Sequence, residues 1–492
     1  MDEPLLSELH EWTGHWWLPD NPDDKVPGVL TFDPKKGLKL RLIGGWDYRV
    51  MEEPVPGVTT LANEFQRWPM VHGLGDEKYI TLLDVNFRSA NSFSLHNFSD
   101  PPTKMELGAH MALVGCLLEE PEEPAFVAGI ATVENLTQWA GHTGVKMTHF
   151  FRADADADAD AVSGSIELTR REPMTAELGD VLGKLHQVSW QPFADQYRSG
   201  TVARIKENAS VEFSSENGRA ADEWIHYLAA FGDLVSMSTL TACGLISLRV
   251  YLPPTPEEYP QDHPQRNMRH EVAVYVTRVV RPKPDESAHE ARQMILTLAD
   301  LSFDQLLPRW MAVHEKFAAA RGMILGLHYV TGGYLETQVV TAVAAAESFH
   351  RALEVAPPMP EEQFQSLRKL LLAAVPKQFK SWLSDRIMRN EPTLKQRLTE
   401  LATRPGAFMK ELVPDAAKWA KAAGDARNTL AHVGASGEQD MNDLFTVVRV
   451  TEAVVIINLL HELGVPESRL EKALRDHKRL SFAASLGQKA FA

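Results

Sequence analysis

The sequence predicts an α+β multidomain chain, with a β-rich, sandwich-like N-terminal region followed by an all-α helical bundle. Three observations carry this. At about 100–200 residues per domain, a length of 492 residues calls for more than one core. Up to residue 302, short apolar–polar alternations recur between turn signals, the period-two mark of half-buried strands. From residue 303 onward the apolar residues return at helical spacing instead.

In chain order, residues 28–33 and 38–43 alternate about a Pro34-Lys35-Lys36-Gly37 turn. Similar strand signals follow at 79–85, 92–96, 126–133, 165–170, 202–205, 211–214, 245–252 and 271–279. Many short strands with frequent turns point to a sandwich or barrel-like sheet. Residues 220–240 form the one clear helix there. The alternating Asp154, Asp156, Asp158 and Asp160 are separated by alanines, which bury little, so this run is a solvated loop. It lacks the glycine and closing glutamate of a calcium loop. Helices are expected at 334–353, 361–374, 378–388, 393–402 and 415–431. Residues 444–463 are apolar nearly all round and should form a buried central helix closed by Gly464 and Pro466. The domain expectation is therefore 1–302 for the strand-rich region, 303–329 for a helical connector, 330–480 for the bundle and 481–492 for a C-terminal tail.

Composition excludes several classes. With 44% hydrophobic and 24% charged residues the chain is globular, not disordered or fibrous. Cys116 and Cys243 cannot build a disulfide framework or an all-cysteine zinc site, which suits a reducing, cytoplasmic setting. The nearest approach to a membrane span, 454–460, falls far short of the ~20 residues required, and the opening residues are acidic, unlike a secretion signal. No membrane partner is expected. The net charge is −16, but residues 330–492 hold 21 basic and 19 acidic side chains, so the acidity lies in residues 1–329. That part is a poor polyanion binder, whereas the C-terminal third stays eligible.

One constellation in the bundle carries chemistry: Arg427-Asn428-Thr429-Leu430-Ala431-His432. Asn428 and His432, four apart, share a helix face, while Arg427 and His432 are about 140° out of line in an ideal helix. The three groups suit RNA backbone cleavage. Histidine titrates near neutrality and can take or give a proton at the ribose 2′-hydroxyl or the leaving oxygen. Arginine can clamp the phosphate, and asparagine can orient either partner. RNA carries its own nucleophile, so neither metal nor cofactor is required. A surface arginine plus a histidine at a helix C-terminus is the structural alternative. Arg266-Asn267-Met268-Arg269-His270 is a decoy, with its histidine one residue closer and in the acidic region.

The hexapeptide resembles the Arg-polar-x-x-x-His signature of the HEPN superfamily, whose active members are metal-independent endoribonucleases. Its context agrees: an early helix with Glu347-Ser348-Phe349-His350-Arg351, the motif about 75–80 residues later, then an apolar closing helix. Gly14-His15-Trp16-Trp17-Leu18-Pro19, the segments at 26–30 and 37–44, and Glu134-Asn135-Leu136-Thr137-Gln138-Trp139 resemble the ApeA N-terminal domain. That domain is found joined to an ApeA-type HEPN domain in bacterial anti-phage proteins. The resemblance implies a defence nuclease with Arg427 and His432 catalytic and Asn428 supporting, formed as a composite site in a homodimer or higher oligomer. It implies cellular RNA as substrate, tRNA among the choices, with cleavage halting growth of an infected cell. The N-terminal region would sense a phage-derived protein trigger or restrain the nuclease. The alternative is a non-catalytic HEPN adaptor whose N-terminal domain binds a phage or host protein.

Other residues invite assignments. Trp12, Trp16, Trp17 and Trp46 read as sheet core before a base-stacking platform. Glu347 and His350 read as exposed helix residues before lining a dimer seam. His263, His270 and His289 lack metal-ligand spacing.

Overall fold

A computed structural model describes residues 4–55, 58–91, 102–141, 143–150, 163–189, 193–283, 286–330, 332–433 and 440–492, without the side chains of 51–64, 188 and 431–433. The strand signal at 92–96 and the aspartate run at 154–160 lie outside the described residues. Two compact units emerge. One holds Met1–Ser236, Cys243–Ala291 and Thr297–Pro308; the other holds Met237–Ala242, Arg292–Leu296 and Arg309–Ala492.

The first unit is built on antiparallel strands. They begin with β1 (His10–Leu18), β2 (Asn21–Asp33), β3 (Gly37–Ile43), β4 (Arg49–Val55), β5 (Val58–Phe65), β6 (Arg67–Gly75) and β7 (Lys78–Asn91). Next come β8 (Lys104–Ala109), β9 (Met111–Val114), β10 (Phe126–Val133), the short helix α1 (Leu136–Ala140), β11 (Val145–Phe150), β12 (Ser163–Leu168), β13 (Met174–Leu178) and β14 (Val181–Ser189). β15 (Phe193–Tyr197), β16 (Gly200–Arg204), β17 (Glu207–Arg219), helix α2 (Ala221–Thr239), β18 (Leu245–Leu252) and β19 (His270–Val276) complete the series. The last expected strand, 271–279, thus stops at Val276, before the Pro282 and Pro284 punctuation.

Strand β7 pairs with β6 on one edge and, past Asn86, with β8 on the other. The order β7-β6-β1-β2-β3-β8 therefore closes on itself as a six-stranded barrel, which leaves no free edge. Residues 80–83 of β7 pair instead with β9, from which the sheet continues through β19, β18, β10, β17 and β14 to β13. Asp84, at φ 56°, sits between the two pairing stretches and turns the strand from one partner to the other. The barrel fills with inward side chains. Trp16 is fully buried, and a Cβ on Gly73, its register partner on the adjacent strand β6, would stand 2.3 Å from its ring, so only glycine fits there. Trp12, Trp17 and Trp46 are buried too, so all four tryptophans serve the core. Helix α2 lies on the open sheet, where Trp224 Nε1 donates to Phe126 O at 2.8 Å over the space left by Gly129.

The second unit is helical. Its elements are α3 (Phe303–Lys316, entered from Arg309), α4 (Ala318–Tyr329), α5 (Leu335–Ala352), α6 (Glu361–Ala374), α7 (Lys380–Arg386) and α8 (Leu394–Leu401). α9 (Ala416–Val433), α10 (Met441–Glu462), α11 (Glu467–Asp476) and α12 (Lys478–Phe491) follow. Helix α10 is the buried axis, packed by α5, α9, α11 and α12, with Val454, Ile457 and Leu460 essentially solvent-free. Among the described residues it is the helix long and apolar enough to cross a membrane, with 83% of its most apolar stretch buried in the protein. The stretch 454–460 understates it because Arg449 and Glu452 break the apolar sequence ahead of it. Residues 481–492, expected as a tail, belong to α12, which buries Leu480, Ala483, Gly487 and Phe491. The expected helix at 378–388 is shorter, with a 3₁₀ turn before α7.

Candidate active site

Helix α9 presents the Arg-Asn-His motif. Asp415 starts it, its Oδ1 accepting the backbone N–H groups of Ala417 and Lys418 at 2.9 and 3.0 Å. Trp419, Ala420, Ala423, Ala426 and Leu430 form the buried stripe that seats α9 against α5, α8 and α10. Small alanines let the neighbouring helices approach, and Trp419 fills the space beside them.

Two motif residues lie off this stripe. Arg427 is half-buried on its flank and Asn428 is exposed. Arg427 Nη1 donates to Asn428 Oδ1 at 3.1 Å. No carboxylate lies within ion-pair reach of Arg427 among the described residues, so the guanidinium keeps its charge and most of its donors available. His432 falls in the last turn of α9, and its side chain is outside the described residues. Along the helix its backbone position is about 40° from that of Asn428 and about 160° from that of Leu430. A clamp of this kind can hold a phosphodiester oxygen by charge-assisted hydrogen bonds.

The decoy behaves differently. Arg266 Nη1 donates to the carbonyls of Pro256 and Tyr259, each at 2.6 Å, and His270 contacts Thr255 Oγ1 at 3.0 Å. Those groups hold the loop before β19 together.

His350 corrects an expectation. It is buried, not exposed, because it continues the Val339, Val343 and Ala346 stripe of α5. Arg397 Nη1 points at His350 Nδ1 at 3.3 Å, so Nδ1 accepts and the ring proton rests on Nε2, 2.8 Å from Glu400 Oε2. Arg397, itself buried, also donates from Nη2 to Glu391 at 2.9 Å and from Nε to Pro392 O at 3.0 Å. Arg351 bridges Glu347 and Glu391 on the outer side. The sequence contained the signal for His350 in its helical register, but nothing that marked Arg397 and Glu400 as its partners.

Among the described residues, no group of three or more histidine, cysteine, aspartate or glutamate side chains is gathered for a metal. Cys116 and Cys243 are buried free thiols, and burial pushes Cys116 up to about 12.

Residues 11–310 match the family model described as ApeA N-terminal domain 1, and residues 340–469 match the model described as Apea-like HEPN. Neither the curated proteins nor the solved structures contain a match.

Proposed function

The chain belongs to the ApeA N-terminal domain 1 family and carries an Apea-like HEPN domain, a pairing of anti-phage HEPN-type nucleases, and from that premise we propose that it cuts RNA without a metal at Arg427, Asn428 and His432. The observation that carries the proposal is the Arg427 guanidinium, half-buried on the flank of α9 and tied to the amide oxygen of the exposed Asn428 and to no carboxylate among the described residues. In the proposed reaction the ribose 2′-oxygen attacks phosphorus, the bond to the 5′-oxygen breaks, and the products are a 2′,3′-cyclic phosphate and a 5′-hydroxyl. His432 moves protons at the attacking and leaving oxygens. Arg427 offsets the charge that builds on the non-bridging oxygens. One base and one acid are needed, and a homodimer that brings two α9 helices face to face supplies two imidazoles to one strand. Cellular RNA, tRNA included, is the proposed target, cut in the cytoplasm to stop growth of an infected cell. The barrel unit is the proposed receiver of a phage-derived trigger.

The test uses the full chain on end-labelled RNA in EDTA, beside His432→Ala and Arg427→Ala. The nuclease proposal requires cyclic phosphate ends and a loss of about 10²–10⁴-fold in rate with His432→Ala. Equal toxicity of wild type and His432→Ala in cells would replace it with the non-catalytic adaptor.

A further inference from the structure

A second polar constellation lies in the helical unit. Helices α4, α10 and α12 enclose a cavity of about 400 Å³, inside the ~300–1,000 Å³ range of small-molecule sites. We propose that this cavity binds a small molecule joining one anionic group to a flat apolar part.

Its floor is a built charge network. His328 Nε2 sits 2.6 Å from Glu452 Oε1, and both side chains are more than nine-tenths buried. Arg449 Nη1 donates to the other carboxylate oxygen, Oε2, at 2.8 Å. Arg479 Nη1 donates to His328 Nδ1 at 2.6 Å. The charges do not cancel. Arg449 and Arg479 bring two positive charges to the single carboxylate of Glu452, so one remains surplus.

Arg479 is also the group best placed to meet a ligand. It stands exposed in the first turn of α12, and its one described side-chain bond goes to the His328 ring, leaving four of its five N–H donors free. The positive end of the α12 dipole adds to the same field. Gln338 lines the cavity from α5, with no described side-chain partner for its amide. The opposite wall is apolar. Ile456 and Leu480 form its base, and Phe482, half-exposed, packs edge-on to Phe445 with ring centroids 6.3 Å apart. Phe445 in turn lies 5.1 Å from the Arg449 guanidinium. An aromatic shelf beside a free guanidinium fits a planar ring with a phosphate, sulfonate or carboxylate attached, of which a nucleoside monophosphate is one form. The proposal does not depend on the nuclease assignment, because none of these residues belongs to the motif on α9.

Fluorescence titration of the full chain with 8-anilinonaphthalene-1-sulfonate, a flat apolar sulfonate, tests the site. One saturable site per chain is expected, displaced by AMP. Arg479→Ala should weaken binding about ten- to a hundredfold and Phe482→Ala several-fold. Arg427→Ala should leave binding unchanged. Both cavity variants change exposed side chains, and an unaltered thermal unfolding curve confirms that they fold. Absence of saturable binding, or an Arg479→Ala affinity equal to wild type, overturns the proposal. Displacement by inorganic phosphate as effective as that by AMP overturns its apolar half.

Discussion

Arg427 and Asn428 are neighbours in sequence, and the guanidinium of one reaches back 3.1 Å to the amide oxygen of the other. Successive residues on a helix diverge by about 100°, so this contact draws the arginine from the flank of α9 toward its solvent face. The amide supplies a neutral acceptor. A carboxylate in its place would hold the same geometry but cancel the charge.

That distinction gives the first prediction. Arg427→Ala should lower the rate of RNA cleavage about 10²–10³-fold, and Arg427→Lys should restore little, since an ammonium lacks the planar fork. Asn428→Ala should cost about tenfold, through a less ordered guanidinium. Asn428→Asp should be more damaging than Asn428→Ala. Single-turnover rates of the purified variants decide this, and full activity in Asn428→Asp would remove the phosphate-clamp role from Arg427.

Much of the fold was legible because local patterning and tertiary burial agreed. The strand signals at 245–252 and 126–133 formed β18 and β10 over those same residues, and residues 361–374 form α6 as their spacing implied. Barrel closure was not legible, since it depends on which edges of β7 meet β6, β8 and β9, and periodicity carries no pairing information. The same limit applied to the polar clusters. Arg449 and Glu452 lie on α10, and the His328 and Arg479 that complete their cluster come from helices distant in sequence. The motif on α9 stood out by residue type, and the exposure of Asn428 follows from its phase against Trp419, Ala423, Ala426 and Leu430.

The second prediction concerns the joint between α5 and α8. Arg397 holds His350, Glu391 and the Pro392 carbonyl together, so Arg397→Ala strands a buried imidazole and frees a carboxylate. Leaving a buried polar group without its partner costs about 1–3 kcal/mol, and the freed Glu391, 42% exposed, is solvated instead. Arg397→Lys should recover only part, because one ammonium cannot serve three directions. Urea unfolding followed by hydrogen exchange in α5 and α8 peptides measures the loss. Unchanged protection there would show that the apolar stripes alone hold the joint.

The third prediction addresses the barrel. A methyl group at position 73 would sit 2.3 Å from the Trp16 ring, which is fully buried and has no space to retreat. Gly73→Ala should therefore destabilise the barrel by about 1–3 kcal/mol or more. Trp16→Phe placed in the Gly73→Ala background should return part of the loss, since the smaller ring vacates the contact. Near-ultraviolet circular dichroism during urea unfolding reports both. Additive losses in the double variant would mean that the two positions do not meet.

The fourth prediction is a pH dependence at Glu212, buried in β17. Burial by itself would raise its carboxyl. Hydrogen bonds from His186 Nε2 and Arg269 Nη1, each at 3.0 Å, and the Arg269 charge outweigh this and bring it down to about 2. The folded-state value is below the ordinary one, so the ionised carboxylate stabilises the fold at neutral pH. That contribution is complete above about pH 4.5 and is lost as the pH falls from there toward 2. A displacement of this size corresponds to about 3 kcal/mol at most. Hydrogen exchange of peptides from β14 and β17, corrected for intrinsic rates, should therefore accelerate between pH 5 and 3. Glu212→Gln keeps the shape but cannot titrate, so it should begin less stable at pH 7 and lose less on acidification. Parallel acid profiles for the two proteins would show that another group controls the opening of this sheet.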